Sequence, residues 1–267
     1  MSFSMFLKTV DAPLHSQYIL ERFAESAPIV IPKTPKFTKP VFKKENKLDS
    51  IMKRVDTLGK DHIAVQYCEK RKLPPDRFAE LYFLENSKDL IKLNPTYKDR
   101  IFTDEPRLAL PFYDAAGELT GVTCRALLAN PIRYLTVKLD EEKPLIFGIN
   151  SINKSKPVHV VEGPIDSLFL KNSIAVAGTG FNKLNQINIP KEKLILIFDN
   201  QPRNKEVCKV IENFINMDYN VVIWPQTLEE KDINDMVLAG KNVNSIISKN
   251  VYSGLMAKVN FTSWKRC

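Results

Sequence analysis

No two cysteines in this sequence stand at metal-ligand spacing. Cys68, Cys124, Cys208 and Cys267 are scattered over 267 residues, and so are His15, His62 and His159. That spacing argues against a zinc site or a disulfide framework and points to reduced thiols in a cytoplasm. No apolar run approaches the roughly 18 residues of a membrane span, so no membrane association is expected. The opening residues, MSFSMFLKTVDAP, lack the basic start, long apolar run and cleavage site of a signal peptide. Internal repeats and low-complexity tracts are also missing. What remains is an ordinary globular composition, 44% hydrophobic and 26% charged, with chain enough for roughly one to three domains.

The charge is uneven. The net charge is +8, yet residues 157–240 hold eleven acidic and eight basic side chains. Residues 31–60 hold nine basic and three acidic side chains, and residues 241–267 hold five basic and none acidic. A basic chain with one acidic segment suggests a polyanionic partner and a local need for carboxylates, such as metal binding.

Residues 1–27 read as helical, anchored by Phe3, Phe6, Leu7, Tyr18, Ile19 and Phe23. Four prolines and six lysines over 28–48 read as an extended linker, because proline resists helix and lysines repel one another. Residues 50–93 read as two helices broken at Pro74 and Pro75. A hairpin is expected over 107–138, turning at Asp114–Gly117. From 157 onward, apolar strands (158–162, 173–178, 193–199, 220–225) alternate with helices (164–172, 203–217, 232–240). This alternation predicts an α/β fold with a parallel sheet covered on both faces.

Open parallel sheets gather functional groups beyond the carboxyl ends of their strands. Glu162 ends the first predicted strand, Asp199 ends the third and Asp232 follows the fourth. Asp166, four residues after Glu162, is placed on the same face of the following helix. Converging carboxylates repel one another, and a hard divalent cation such as Mg²⁺ (or Mn²⁺) relieves that repulsion. Such a site suits phosphoryl or nucleotidyl transfer. Each acidic residue taken singly also suits a helix cap.

The runs VVEGPIDSL, ILIFDNQPRNK and KDIND together resemble the toprim domain of primases, topoisomerases and some nucleases. The resemblance makes Glu162 the toprim glutamate, Asp199 the first member of its Asp-x-Asp pair and Asp232 its acidic loop, with Asp235 beside it. Gln201 stands where the second Asp is expected, so it is a metal ligand only through its carbonyl. Upstream, RLALPFYDAAGELTGVTCRALL followed by PIRYLTVK resembles the RNA-polymerase subdomain of bacterial-type primases. The ordered pair is most similar to primases of T-even-type tailed phages. The implied fold is a toprim, Rossmann-like parallel-sheet domain preceded by an α+β RNA-polymerase subdomain.

The implied organisation is an N-terminal helix and linker (1–49), the polymerase subdomain (50–156), the toprim domain (157–240) and a basic C-terminal tail (241–267). The implied activity is Mg²⁺-dependent synthesis of short RNA primers on single-stranded DNA. Glu162, Asp199 and Asp232 would be catalytic and metal-binding. Arg107, Arg125, Arg133, Tyr134, Lys138, Gly178 and Thr179 would bind nucleic acid or nucleotide, and Gly163 would permit close backbone approach. Partners would be ribonucleoside triphosphates, template, replicative helicase and single-stranded-DNA-binding protein, in the host cytoplasm for a viral chain. Zinc would belong to an N-terminal ribbon, either encoded upstream or lost. A toprim nuclease and a catalytically decayed nucleic-acid-binding subunit are the alternatives.

Overall fold

The computed structural model describes residues 1–26, 47–176 and 180–267. The expected linker, apart from Lys47 and Leu48, lies outside the described residues, as do Gly178 and Thr179. The chain divides into two compact units, 1–44 and 45–267.

The first unit carries helices α1 (Phe3–Val10) and α2 (Ala12–Ser26) in place of one continuous helix. Asp11 makes the break. Its N–H donates to Leu7 O, ending α1, and its carboxylate accepts from Leu14 N at 3.0 Å, starting α2. Leu7 is buried, whereas the expected anchors Phe3, Phe6 and Phe23 are exposed.

The second unit contains two five-stranded sheets. In the first sheet, β1 (Lys53–Arg54), β2 (Tyr82–Leu84), β3 (Arg107–Tyr113), β4 (Leu119–Ala126) and β5 (Tyr134–Lys138) pair antiparallel in sequence order. The expected hairpin is therefore three strands. Its turn has Asp114 accepting from Ala116 N and Glu118 N, with Gly117 at φ 80°. Only α3 (Ile63–Lys70) is a regular α-helix within 50–93. The run after the Pro74–Pro75 break forms a 3₁₀ helix (Pro75–Glu80) and then β2, whose three residues are all buried.

In the second sheet the order is β10 (Val251–Tyr252), β9 (Asn220–Val222), β8 (Leu194–Ile197), β6 (Val158–Val161), β7 (Ser173–Ala175). Strands β6 to β9 are parallel, and β10 runs antiparallel on β9. The helices are α4 (Pro164–Ser167), α5 (Lys205–Asn216), α6 (Ile233–Leu238), α7 (Val243–Lys249) and α8 (Gly254–Trp264). α5 begins where Asn204 Oδ1 accepts from Glu206 N and Val207 N, and it buries Cys208, Ile211, Phe214 and Ile215.

Strand periodicity joins the two sheets. Alternate side chains of β3, Leu108, Leu110 and Phe112, share one core with Val158, Val160 and Leu196 of the parallel sheet. Ala109 points the other way, into a core with Tyr82, Val122, Cys124 and Val137. Each buried Leu or Phe contributes roughly 1.5–3 kcal/mol, so this shared core holds the two sheets as one body. Residues 241–267, read from sequence as a tail, are folded. Val243 and Ile247 of α7 and Ala257, Phe261 and Trp264 of α8 are buried in the shared core.

Candidate active site

The chain passes from β6 to β7 on one side, then crosses back to β8 on the other. This reversal opens a crevice beyond the carboxyl ends of β6 and β8, where open α/β sheets bind ligands. Glu162 and Asp199 stand there, and Asp232 starts α6 beside them. A cleft of about 770 Å³ lies over the crevice. Its floor is Glu162, Gly163, Pro164, Asp166, Asp199, Lys231 and Asp232; its opposite wall is Tyr97, Arg100, Thr123, Tyr134, Thr136, Lys138 and Leu145. The wall belongs to the antiparallel sheet, the segment before β3 and Leu145 in the segment after β5, so the cleft runs between the two sheets.

The carboxylates differ in surroundings. Loss of water contact raises the pKa of Glu162, and the negative charge of Asp199 adds to this against the pull of Lys231. Desolvation, then the charge of Asp232, pushes Asp166 up to about 7, although Asp166 accepts a hydrogen bond from Asn234 N at 3.0 Å. Gly163 makes room for this carboxylate, since a Cβ there would lie 2.7 Å from Asp166 Oδ2. Asp199 pairs with Lys231 Nζ at 3.4 Å. Asp232 Oδ1 caps α6 by accepting from Asp235 N at 2.8 Å. Capping and lining the cleft are thus both true of Asp232.

Among the described residues, no three His, Cys, Asp or Glu side chains form a ready metal cage. The donor set still fits Mg²⁺, which takes hard oxygens and is commonly held by one or two carboxylates plus substrate phosphates. Mutually repelling carboxylates on a cleft floor provide that environment.

Two expected ligands are placed otherwise. Gln201 Nε2 donates to Asp199 Oδ2 at 3.1 Å, and its Oε1 accepts from Asn204 Nδ2 at 3.1 Å. Gln201 therefore braces Asp199 and is not part of the cleft lining. Asp235 is exposed and outside the cleft lining. The largest correction concerns Arg107, which is wholly buried. Its guanidinium is bound by Glu105 and donates to Cys124 O and Ile132 O, each at 3.1 Å. Buried there, it offers no surface to a phosphate and instead ties β3 to the backbone at Cys124 and Ile132.

Lys138 and Tyr134 do line the cleft, and Arg125 stacks over the Tyr134 ring at 4.8 Å. Arg133 is exposed but outside the cleft lining. Sequence reasoning missed Tyr97, Arg100, Thr123, Thr136 and Lys231. Arg100 is exposed and stacks over Tyr97 at 5.5 Å, a second arginine–tyrosine pair on the same wall.

The loop carrying Asp199 is held from the C-terminal side. Asn200 donates from its side chain to Leu228 O and Glu230 O and from its backbone to Lys231 O. Trp264 Nε1 of α8 donates to Asn200 Oδ1 at 3.0 Å, and Arg266 N donates to Pro202 O at 2.9 Å.

No family model matches the chain. Its fold is similar to that of the Escherichia coli primase catalytic core (TM-score 0.58, 16% identity, 81% of each chain covered). It is also similar to a DnaG primase catalytic domain bound to single-stranded DNA (TM-score 0.56, 15% identity, 76% of each chain). The Aquifex aeolicus primase zinc-binding and RNA-polymerase domains give a TM-score of 0.53 at 18% identity, over 72% of this chain and 56% of that one. These likenesses show the fold, an RNA-polymerase domain joined to a toprim core. In sequence, the DNA primase of Enterobacteria phage T4 is 32% identical over 275 aligned positions, covering 98% of this chain and 78% of the relative. Identity at that level, sustained over nearly the whole chain, places this protein in the family of the phage T4 DNA primase.

Proposed function

We propose that this primase, a nucleotidyltransferase of the RNA-polymerase type, joins ribonucleotides on single-stranded DNA in the cleft between its two sheets. One observation carries the reading. Glu162, Asp199 and Asp232 on the cleft floor face Arg100, Tyr134 and Lys138 on the wall, an arrangement suited to a metal–triphosphate on one side and a nucleic-acid strand on the other. Residues 50–156 are assigned to the polymerase subdomain and 157–240 to the toprim domain, with the segment after 240 as its structural completion.

Glu162, Asp199 and Asp232 would hold Mg²⁺, and Mn²⁺ in its place. When bound, the ion neutralises phosphate charge and favours a nucleophilic oxygen. The protein's own part is positioning. Gln201 and Lys231 fix the Asp199 carboxylate. Glu162, on the cleft floor beside Asp199, is the proposed acceptor for the proton of the attacking 3′-hydroxyl. Lys138 and Arg100 screen phosphates, while the Tyr134 ring, backed by Arg125, offers a face on which a base can stack. A replicative helicase and a single-stranded-DNA-binding protein are the proposed protein partners, with the host cytoplasm as the place of action.

The test is ribonucleotide incorporation on single-stranded DNA with Mg²⁺, comparing the parent chain with Asp199→Ala. The parent extends a primer and the variant, though folded, does not. Undiminished synthesis by the variant, or strand cleavage in place of synthesis, refutes the reading.

A further inference from the structure

The end of α3 is bound to the start of α6 across 163 positions of sequence, beside the cleft. Arg71 Nη1 donates to Asn234 Oδ1 at 2.5 Å, and Asn234 Nδ2 donates back to Arg71 O at 2.9 Å. The backbone N–H of Asn234 donates to Asp166 Oδ1. Asn234 is only 2% exposed, so its side-chain amide and its N–H are all satisfied by these groups. Nearby, Lys72 Nζ reaches Leu238 O at 3.4 Å, near the far end of α6.

Arg71 is set up for this contact by its own helix. α3 closes with Lys72 N bonded to Glu69 O and Leu73 N bonded to Cys68 O, while Lys72 takes a left-handed φ of 55°. That pattern is a Schellman closure, with buried Cys68 and Leu73 as its apolar contact. Arg71 is the capping residue, and its guanidinium lies 5.2 Å over the Tyr67 ring one turn back. The Tyr67 ring thus backs the Arg71 guanidinium where it meets Asn234. At the other end, Asn234 sits two residues into the helix whose first turn is capped by Asp232.

We infer that Arg71 and Asn234 are positioning residues for the catalytic floor: their reciprocal pair ties the polymerase-subdomain helix to α6 and so sets where Asp232 and Asp166 stand relative to Glu162 and Asp199. This rests on the reading of the cleft as the polymerising site. Neither residue touches the reacting groups; both act through the carboxylates. Partners that orient metal-binding side chains typically change metal affinity or activity by roughly 10–100-fold when removed.

The experiment uses the full chain with Asn234→Ala, Arg71→Met and the double variant. Mn²⁺ affinity is read by electron paramagnetic resonance without substrate, alongside kcat and the KM for ribonucleoside triphosphate. Expected is Mn²⁺ binding weaker by about tenfold and a fall in kcat larger than any rise in KM. The double variant should resemble the worse single one, because the two residues act as a unit. Arg71→Met keeps the alkyl stem and the buried amide, so it carries the test where Asn234→Ala does not fold. Mn²⁺ affinity and kcat within twofold of the parent in a folded variant overturn the inference. If the parent itself binds Mn²⁺ but makes no primer, the reading of the cleft fails while the metal measurement still decides the role of Arg71 and Asn234.

Discussion

Removing the Arg107 side chain separates a structural arginine from a nucleic-acid-binding one. In the fold it is wholly buried against Glu105, whose side chain is 15% exposed. Substitution by methionine keeps the apolar stem, leaves the Glu105 carboxylate without its cation and leaves Cys124 O and Ile132 O without these donors. Breaking a buried pair by deleting one partner costs about 3–5 kcal/mol. Against a domain stability of about 5–15 kcal/mol, that is a large fraction. The assay is urea unfolding of Arg107→Met and the parent, with the midpoint falling at unchanged slope. pH gives a second axis. Burial opposes ionisation of Glu105, but hydrogen bonds from its own backbone, Thr103 and Arg107 outweigh it and hold the pKa below the usual carboxylate value. The stabilisation is then fully present above the unfolded value of about 4.3 and is lost as pH falls through the folded one. The gap between parent and variant should narrow below about pH 4.3. A variant less than about 1 kcal/mol weaker that nevertheless loses affinity for single-stranded DNA would return Arg107 to the binding surface.

Two further outcomes follow from the cleft. Gly163→Ala should lower primer synthesis and stability together, because the new methyl would lie 2.7 Å from Asp166 Oδ2; unchanged thermal midpoint and kcat would show that the Asp166 carboxylate gives way freely. Lys138→Ala should reduce the slope of log affinity for single-stranded DNA against log salt by about 1, measured by fluorescence anisotropy, and an unchanged slope would remove Lys138 from the phosphate path.

The parallel sheet was legible because its strands are largely buried and so appear as short, mostly aliphatic runs such as VHVV and LILI. Glu162 and Asp199 followed from strand ends, and Asp232 from the loop that enters the next helix. Arg107 was misread because a charged residue beside a strand suggests solvent, whereas both faces of β3 are covered and its partner, Glu105, stands two positions away. The C-terminal segment was misread from its lack of acid, although Ala257, Phe261 and Trp264 recur at helical spacing. Tyr97 and Arg100 were missed because the short 3₁₀ turns before β3 carry no amphipathic period. The Arg71–Asn234 pair leaves no local trace, since its two halves are brought together by the tertiary fold.

The Asp199 loop leans on Trp264 and Arg266, more than sixty positions further along the chain. In a chain made from its amino end, β6 and β8 are synthesised well before the side chains that steady the loop between β8 and α5. The support of the Asp199 loop is therefore made only after every acidic residue of the cleft floor has been synthesised. A chain interrupted between Asp232 and α8 carries every acidic residue of the cleft floor and still lacks the Trp264 contact that holds Asn200 in place.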